Sequence, residues 1–184
     1  MPVLSVNYLL NYAEGYNIFV ETGTHKGQTI DLILSYGFKE IHSIELNETL
    51  YKNAVEKYKN KPEVKLYLGD SPDILREQII PNLKEKAVFW LDGHACGGCD
   101  GSTKYGSCPA LYELESIGES SIKNHTIFLD DQRLLDTDIW NIKRSEYLDA
   151  VKKINPDYNF AWLDGGFSDG QRHLPDDILC AYIK

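Results

Sequence analysis

A chain of 184 residues, 42% hydrophobic and 26% charged, is large enough for one globular domain with its own core. Its formal charge of −9 argues against a broad nucleic-acid footprint, and no apolar run approaches the roughly 18 residues that span a bilayer. The start, Met1-Pro2-Val3-Leu4, has no basic flank ahead of an apolar stretch, so no signal peptide is read and a cytoplasmic protein is expected.

Val3 to Tyr16 has room for one short covering helix. Ile18-Phe19-Val20 reads as a strand that runs into Glu21-Thr22-Gly23-Thr24. A helix follows from Gly27 to Tyr36, with Ile30, Ile33 and Leu34 on one face and Gly37 as its stop. Ile41 to Leu46 is the second strand. Asn47 caps a helix to about Tyr58, with Leu50, Ala54 and Val55 inward, and Lys61-Pro62 ends it. After a third strand, Val64 to Leu68, Ser71 is placed to cap and Pro72 to open the next helix. Ala87 to Leu91 is the fourth strand, Pro109 to Ile117 a helix, Thr126 to Leu129 the fifth strand and Lys143 to Ile154 a helix. Phe160 to Leu163 and Ile178 to Ile183 close the chain as a pair, with Asp164 to Gly170 as the expected hairpin tip.

Strands alternating with helices predict one α/β domain over residues 1–184. Its form is a Rossmann-like three-layer sandwich, a mostly parallel seven-stranded sheet with an antiparallel C-terminal hairpin. Ligands of such sheets bind beyond the carboxyl ends of the strands. Glu21, Glu45, Asp70, Asp92 and Asp130 each stand at such an end. Gly23 allows a sharp turn there, and Gly27 allows close approach to the following helix. A carboxylate at Glu45 suits the two hydroxyls of a ribose, and Asp70 an adenine amino group. The turn is not G-x-G-x-x-G, because Thr24 holds a glycine position and Glu21 adds an acid that repels a pyrophosphate and attracts an ammonium.

Glu21-Thr22-Gly23-Thr24-x-x-Gly27-x-Thr29, then Ser43-Ile44-Glu45-Leu46, then Gly69-Asp70-Ser71, resembles the class I S-adenosylmethionine-dependent methyltransferases from about Asn17 to Lys184. The resemblance implies S-adenosylmethionine as cofactor. Glu21 and Gly23 would then face the methionine part, Glu45 the ribose, and Asp70 or Ser71 the adenine. Asp92, with Asp130-Asp131, matches the acids of metal-dependent O-methyltransferases of the catechol and macrocin types. That likeness implies Mg²⁺ or another divalent cation, which would lower the pKa of an acceptor hydroxyl. His94 is the candidate base. The alternative is that Asp92 and Asp130 cap loops, that Asp131 pairs with Arg133, and that His94 makes a structural hydrogen bond. The long N-terminal extension of the macrocin type is missing, so a substrate lid is absent or comes from a partner subunit, as in a homodimer.

His94, Cys96, Cys99 and Cys108 share one loop with five glycines between Gly93 and Ser107. They could bind zinc, form a disulfide, or remain free thiols, and zinc at His94 excludes its use as a base. Tyr105, Arg133, Trp140 and Arg144 are candidates to line the cleft. The expected activity is methyl transfer to a hydroxyl of a sugar-like or other polar small molecule. Two other readings compete with it, a catalytically silent S-adenosylmethionine-binding regulatory module and a zinc-stabilised interaction domain.

Overall fold

All five residues of β1 (Ile18–Thr22) and of β4 (Ala87–Leu91) are buried; β4 is apolar throughout, and β1 over its first three residues. Such strands are covered on both faces and sit at the centre of a sheet. The computed structural model, which describes residues 4–94, 103–166 and 173–184, places them there. With β2 (Glu40–Glu45), β3 (Val64–Leu68), β5 (Thr126–Leu129), β6 (Asn159–Gly166) and β7 (His173–Tyr182), the order is β3-β2-β1-β4-β5-β7-β6. Every pairing is parallel except those of β7, which inserts antiparallel between β5 and β6. Strand order reverses between β1 and β4, and a ligand crevice opens at such a point.

Alternate residues of β4 feed two cores. Ala87, Phe89 and Leu91 join Leu114, Ile117 and Val151 on one face. Val88 and Trp90 join Phe19, Ile33, Ile41 and Phe128 on the other. The helices α1 (Val6–Tyr12), α2 (Gln28–Tyr36), α3 (Glu48–Tyr58), α4 (Ser71–Ile74), α5 (Ala110–Gly118) and α6 (Arg144–Ile154) surround the sheet. Ser5 caps α1 and Asn47 caps α3, each accepting a backbone N–H from the first turn. Among the described residues, no helix is long and apolar enough to cross a membrane.

The structure departs from the sequence reading in four places. The N-cap of α4 is Asp70 rather than Ser71, whose hydroxyl turns inward instead; α4 then continues as a π turn over Leu75–Ile79. Val55 is exposed, because α3 buries only the i, i+4 pair Ala54 and Tyr58. A register shift between Leu163 and Gly165 carries β6 through the expected tip to Gly166, and β7 starts at His173. β2 starts at Glu40 rather than Ile41 and ends at Glu45, leaving Leu46 just past its end.

Candidate active site

The turn after β1 is fixed by its neighbours. Gly23 and Thr24 both donate backbone N–H groups to the carbonyl of Ile44, at 2.9 and 3.1 Å. Gly23 has φ +85°, and a Cβ there would lie 2.4 Å from the carbonyl oxygen of Asp92. The end of β4 therefore needs a glycine opposite it. At Gly27, also left-handed, the close approach comes from α3: Tyr58 places its hydroxyl 2.7 Å from the Gly27 carbonyl, in the space a Cβ would take.

Glu45 accepts the His25 N–H at 2.7 Å and the Asn47 N–H at 2.8 Å, one on each oxygen. Each oxygen keeps a second lone pair, enough for a vicinal diol. Leu46 beside it is 39% exposed, and Gly69 donates its N–H to the Glu45 carbonyl at 3.0 Å. Asp70 keeps Oδ1 buried without a hydrogen-bond partner among the described residues. That atom suits the amino group of a purine. An adenosine-type cofactor fits these donors and acceptors.

Glu21 differs from expectation. It is buried, accepts the Ser43 hydroxyl at 2.6 Å, and Ser43 in turn accepts from Thr24 at 2.5 Å. Burial pushes its carboxyl up to about 8, against hydrogen bonds from Ser43 and Thr29 and with help from Asp92 and Glu45. Burial thus favours the protonated form of Glu21 in the ligand-free chain.

The ends of β4 and β5 are neighbours, with Asp130 N–H on the Leu91 carbonyl at 3.2 Å. Asp92 donates its N–H to Thr22 Oγ1 at 3.2 Å, and burial raises its carboxyl to about 7. His94 pairs through Nε2 with Asp131 Oδ2, lies 3.5 Å from Asp92 Oδ1, and rests 5.1 Å from the Trp140 ring. Burial opposes protonation of His94, but Asp131 and Asp92 outweigh it and its pKa is raised. Asp131 and His25 hold left-handed backbones, φ +57° and +48°, a strain found where side chains are aimed for function.

Three carboxylates do converge here, but they are Asp130, Asp131 and Asp177, with oxygens within 4.8 Å of one another. Asp92 stands outside that group. Asp177 joins Asp130 and Asp131 because β7 runs antiparallel, which brings its N-terminal half to the carboxyl edge of the other strands. Asp177 followed by the apolar run Ile178 to Ala181 is the sequence signal for it. Arg133 donates its N–H to Asp177 Oδ1 at 2.9 Å, its guanidinium pairs with Asp177 Oδ2, and Nη1 lies 2.5 Å from Asp131 Oδ1. With His94 and Arg133 on Asp131 and Arg133 on Asp177, two of the three carboxylates already face a cationic side chain and only Asp130 does not, an arrangement that does not fit a divalent cation.

Glu113 of α5 was also hidden from sequence reasoning. Fully buried, it accepts the Ser71 hydroxyl, and a Cβ on Gly93 would meet its Oε1 at 2.9 Å. Burial raises it to about 7. It shares a small cavity with Gly93, His94, Asp130 and Trp140. Of the expected zinc donors, Cys96 and Cys99 lie outside the described residues. Cys108 Sγ turns to the Tyr147 hydroxyl at 3.1 Å, and burial raises its pKa to about 11, so it is a thiol. Tyr105 and Lys104 hold Asp73 on α4, and Arg144 stacks on Trp162.

Comparison with protein-family models and with curated protein sequences returns no match. Among solved structures, the chain is similar to SMU.1697c of Streptococcus mutans, named as a candidate methyltransferase and solved in complex with SAH. The TM-score is 0.59 at 14% identity, over 96% of this chain and 93% of that one. SAM-bound CalS10 of Micromonospora echinaspora, an amino pentose methyltransferase, gives 0.60 at 10% identity over 97% and 88%. This is the class I methyltransferase fold. The same fold carries other chemistry. Precorrin 8W decarboxylase of Methanobacterium thermoautotrophicum is similar at 0.53 and 15% identity, over 97% and 88%. The methyltransferase fold therefore supports a cofactor crevice at the β1–β4 switch, and the reaction has to be argued from the site.

Proposed function

We propose that the chain is an S-adenosylmethionine-dependent methyltransferase whose acceptor is a hydroxyl of a sugar-like or other polar small molecule. The observation that carries this reading is His94. It is held by Asp131 at the end of β4, one strand from the Gly23 turn. When bound, S-adenosylmethionine supplies a methyl group on a sulfonium, a leaving group that needs no acid.

The chain's residues supply the rest. Glu45 binds the ribose hydroxyls and Asp70 accepts from the adenine amino group, while Gly23 makes the sharp turn that lets the end of β4 close against it. Asp131 accepts from Nε2–H of His94, leaving Nδ1 as the lone-pair nitrogen that takes the acceptor's proton. Positioning of acceptor and methyl donor contributes most, about 7–11 kcal/mol in favourable cases. Divalent-cation assistance is not part of this reading, since Asp131 and Asp177 are engaged by Arg133 and His94 and Asp130 alone is left for an ion.

Titration calorimetry with S-adenosylmethionine and its demethylated product tests the cofactor half, and both are expected to bind. Incubation of labelled cofactor with a panel of sugars and polyols tests the other half. Label is expected in an alkali-stable ether. Absence of heat with both ligands removes the reading altogether. Binding without transfer to any acceptor leaves the catalytically silent module in its place.

A further inference from the structure

Buried carboxylates as close as Asp130, Asp131 and Asp177 cannot all ionise without compensation. A divalent ion is one solution, and a cation from the chain itself is another. The loop after β5 is shaped for the second. Asp131 takes a left-handed turn, and the 3-10 turn Gln132–Leu134 that follows brings Arg133 across to β7. There the backbone N–H of Arg133 meets Asp177 Oδ1 at 2.9 Å, and its guanidinium reaches Asp177 Oδ2 and Asp131 Oδ1. His94 takes the remaining oxygen of Asp131. Asp130 alone has both oxygens buried without a hydrogen-bond partner among the described residues.

We propose that Arg133 is the resident cation of this site: its guanidinium, clamped between Asp131 and Asp177, takes the place a divalent metal would need. Arg133 is then a positioning residue. It fixes Asp131, which holds His94. The inference rests on the proposed methyl transfer only for what His94 does; the exchange of metal for guanidinium is a property of the ligand-free chain. Both ion pairs run through Nη1, while the backbone N–H of the same residue holds the other oxygen of Asp177, so one residue compensates two carboxylates.

Mn²⁺ is the probe, read by loss of its free paramagnetic signal and by thermal unfolding. None of these readouts needs cofactor or acceptor, so failure here is separate from failure of methyl transfer. The wild-type chain is expected to bind no Mn²⁺ and to melt at the same temperature with Mn²⁺ or with a chelator. Arg133→Met uncovers the three carboxylates and is expected to bind a single Mn²⁺, raising Tm by about 5 °C at saturation. Asp130→Asn added to that variant is expected to abolish the gain. Stoichiometric Mn²⁺ on the wild type, or a Tm that falls in chelator, overturns the proposal, as does a folded Arg133→Met that binds none. The wild-type measurement decides the matter by itself should Arg133→Met not fold.

Discussion

Each oxygen of Glu45 already holds one backbone N–H, so this carboxylate shapes its loop before any ligand arrives. Replacing it with alanine would therefore confuse loop collapse with loss of ribose contacts. Glu45→Gln is the cleaner change. It keeps one acceptor oxygen and removes the charge, and a charge-assisted bond is worth about 1.5–3 kcal/mol. The Kd for S-adenosylmethionine should rise at least about tenfold by calorimetry; an unchanged Kd takes Glu45 out of the cofactor site. At His94 the argument concerns protonation. Asp131 and Asp92 raise its pKa against burial, so Asp131→Asn should lower it, visible as a downfield-to-upfield midpoint at lower pH in an NMR titration of the ring. A midpoint that does not move means Asp131 is not the partner that matters. The acids at strand ends could be found from sequence because the strand ends could. Asp177 shows in sequence only as the acid ahead of an apolar run, and Glu113 not at all, since their neighbours depend on where β7 inserts and how α5 crosses β4, neither of which is written in local pattern.

The same contrast holds for elements. The apolar runs of β1, β4 and β5 and the caps Asn47 and Gly37 mark their elements to within two residues, because burial on both faces and left-handed C-caps leave direct composition signals. The length of β6 and β7 was hidden. A bulge at Leu163/Gly165 lets a glycine pair that reads as a turn stay in the ladder, supported by Tyr8 donating to the Asp164 carbonyl at 2.8 Å. The junction of β1 with β4 offers a test of how elements are held together. An alanine at Gly23 would put Cβ 2.4 Å from the Asp92 carbonyl, at a φ of +85°. The left-handed backbone alone costs about 1–2 kcal/mol, and forcing two central strands apart adds about 1–3 kcal/mol. Gly23→Ala should thus lose about 3 kcal/mol in urea unfolding. Destabilisation near 1 kcal/mol would show that the two strand ends do not abut as described.

Across the whole molecule, buried titratable groups pull stability in opposite directions with pH. His125 is buried and neutral: Nδ1 accepts the Ala87 N–H at 3.1 Å, and burial lowers its pKa to about 4. Unfolded, it titrates near 6.5. Between those values the unfolded chain binds the extra proton, so stability rises with pH, by about 3 kcal/mol over the interval. Glu21 acts the other way. Its folded pKa near 8 lies above the ordinary 4.5, so the folded chain binds the extra proton between them and stability falls as pH rises. Glu113, raised to about 7, adds to that fall. Above pH 4.5 the two carboxyls outweigh the one histidine, and the ligand-free chain should be more stable at pH 5 than at pH 8. Urea unfolding at both values, for the wild type, Glu21→Gln and His125→Gln, separates the contributions. Glu21→Gln should shrink the difference between pH 5 and pH 8 by up to about 4 kcal/mol, since three pH units of linkage are removed. His125→Gln should instead steepen the fall between pH 4.5 and 6.5, since its opposing rise is removed, and leave the limb above pH 6.5 unchanged. If the Glu21→Gln profile runs parallel to the wild type, Glu21 is ionised in the fold, and the turn after β1 presents a full negative charge to whatever binds there.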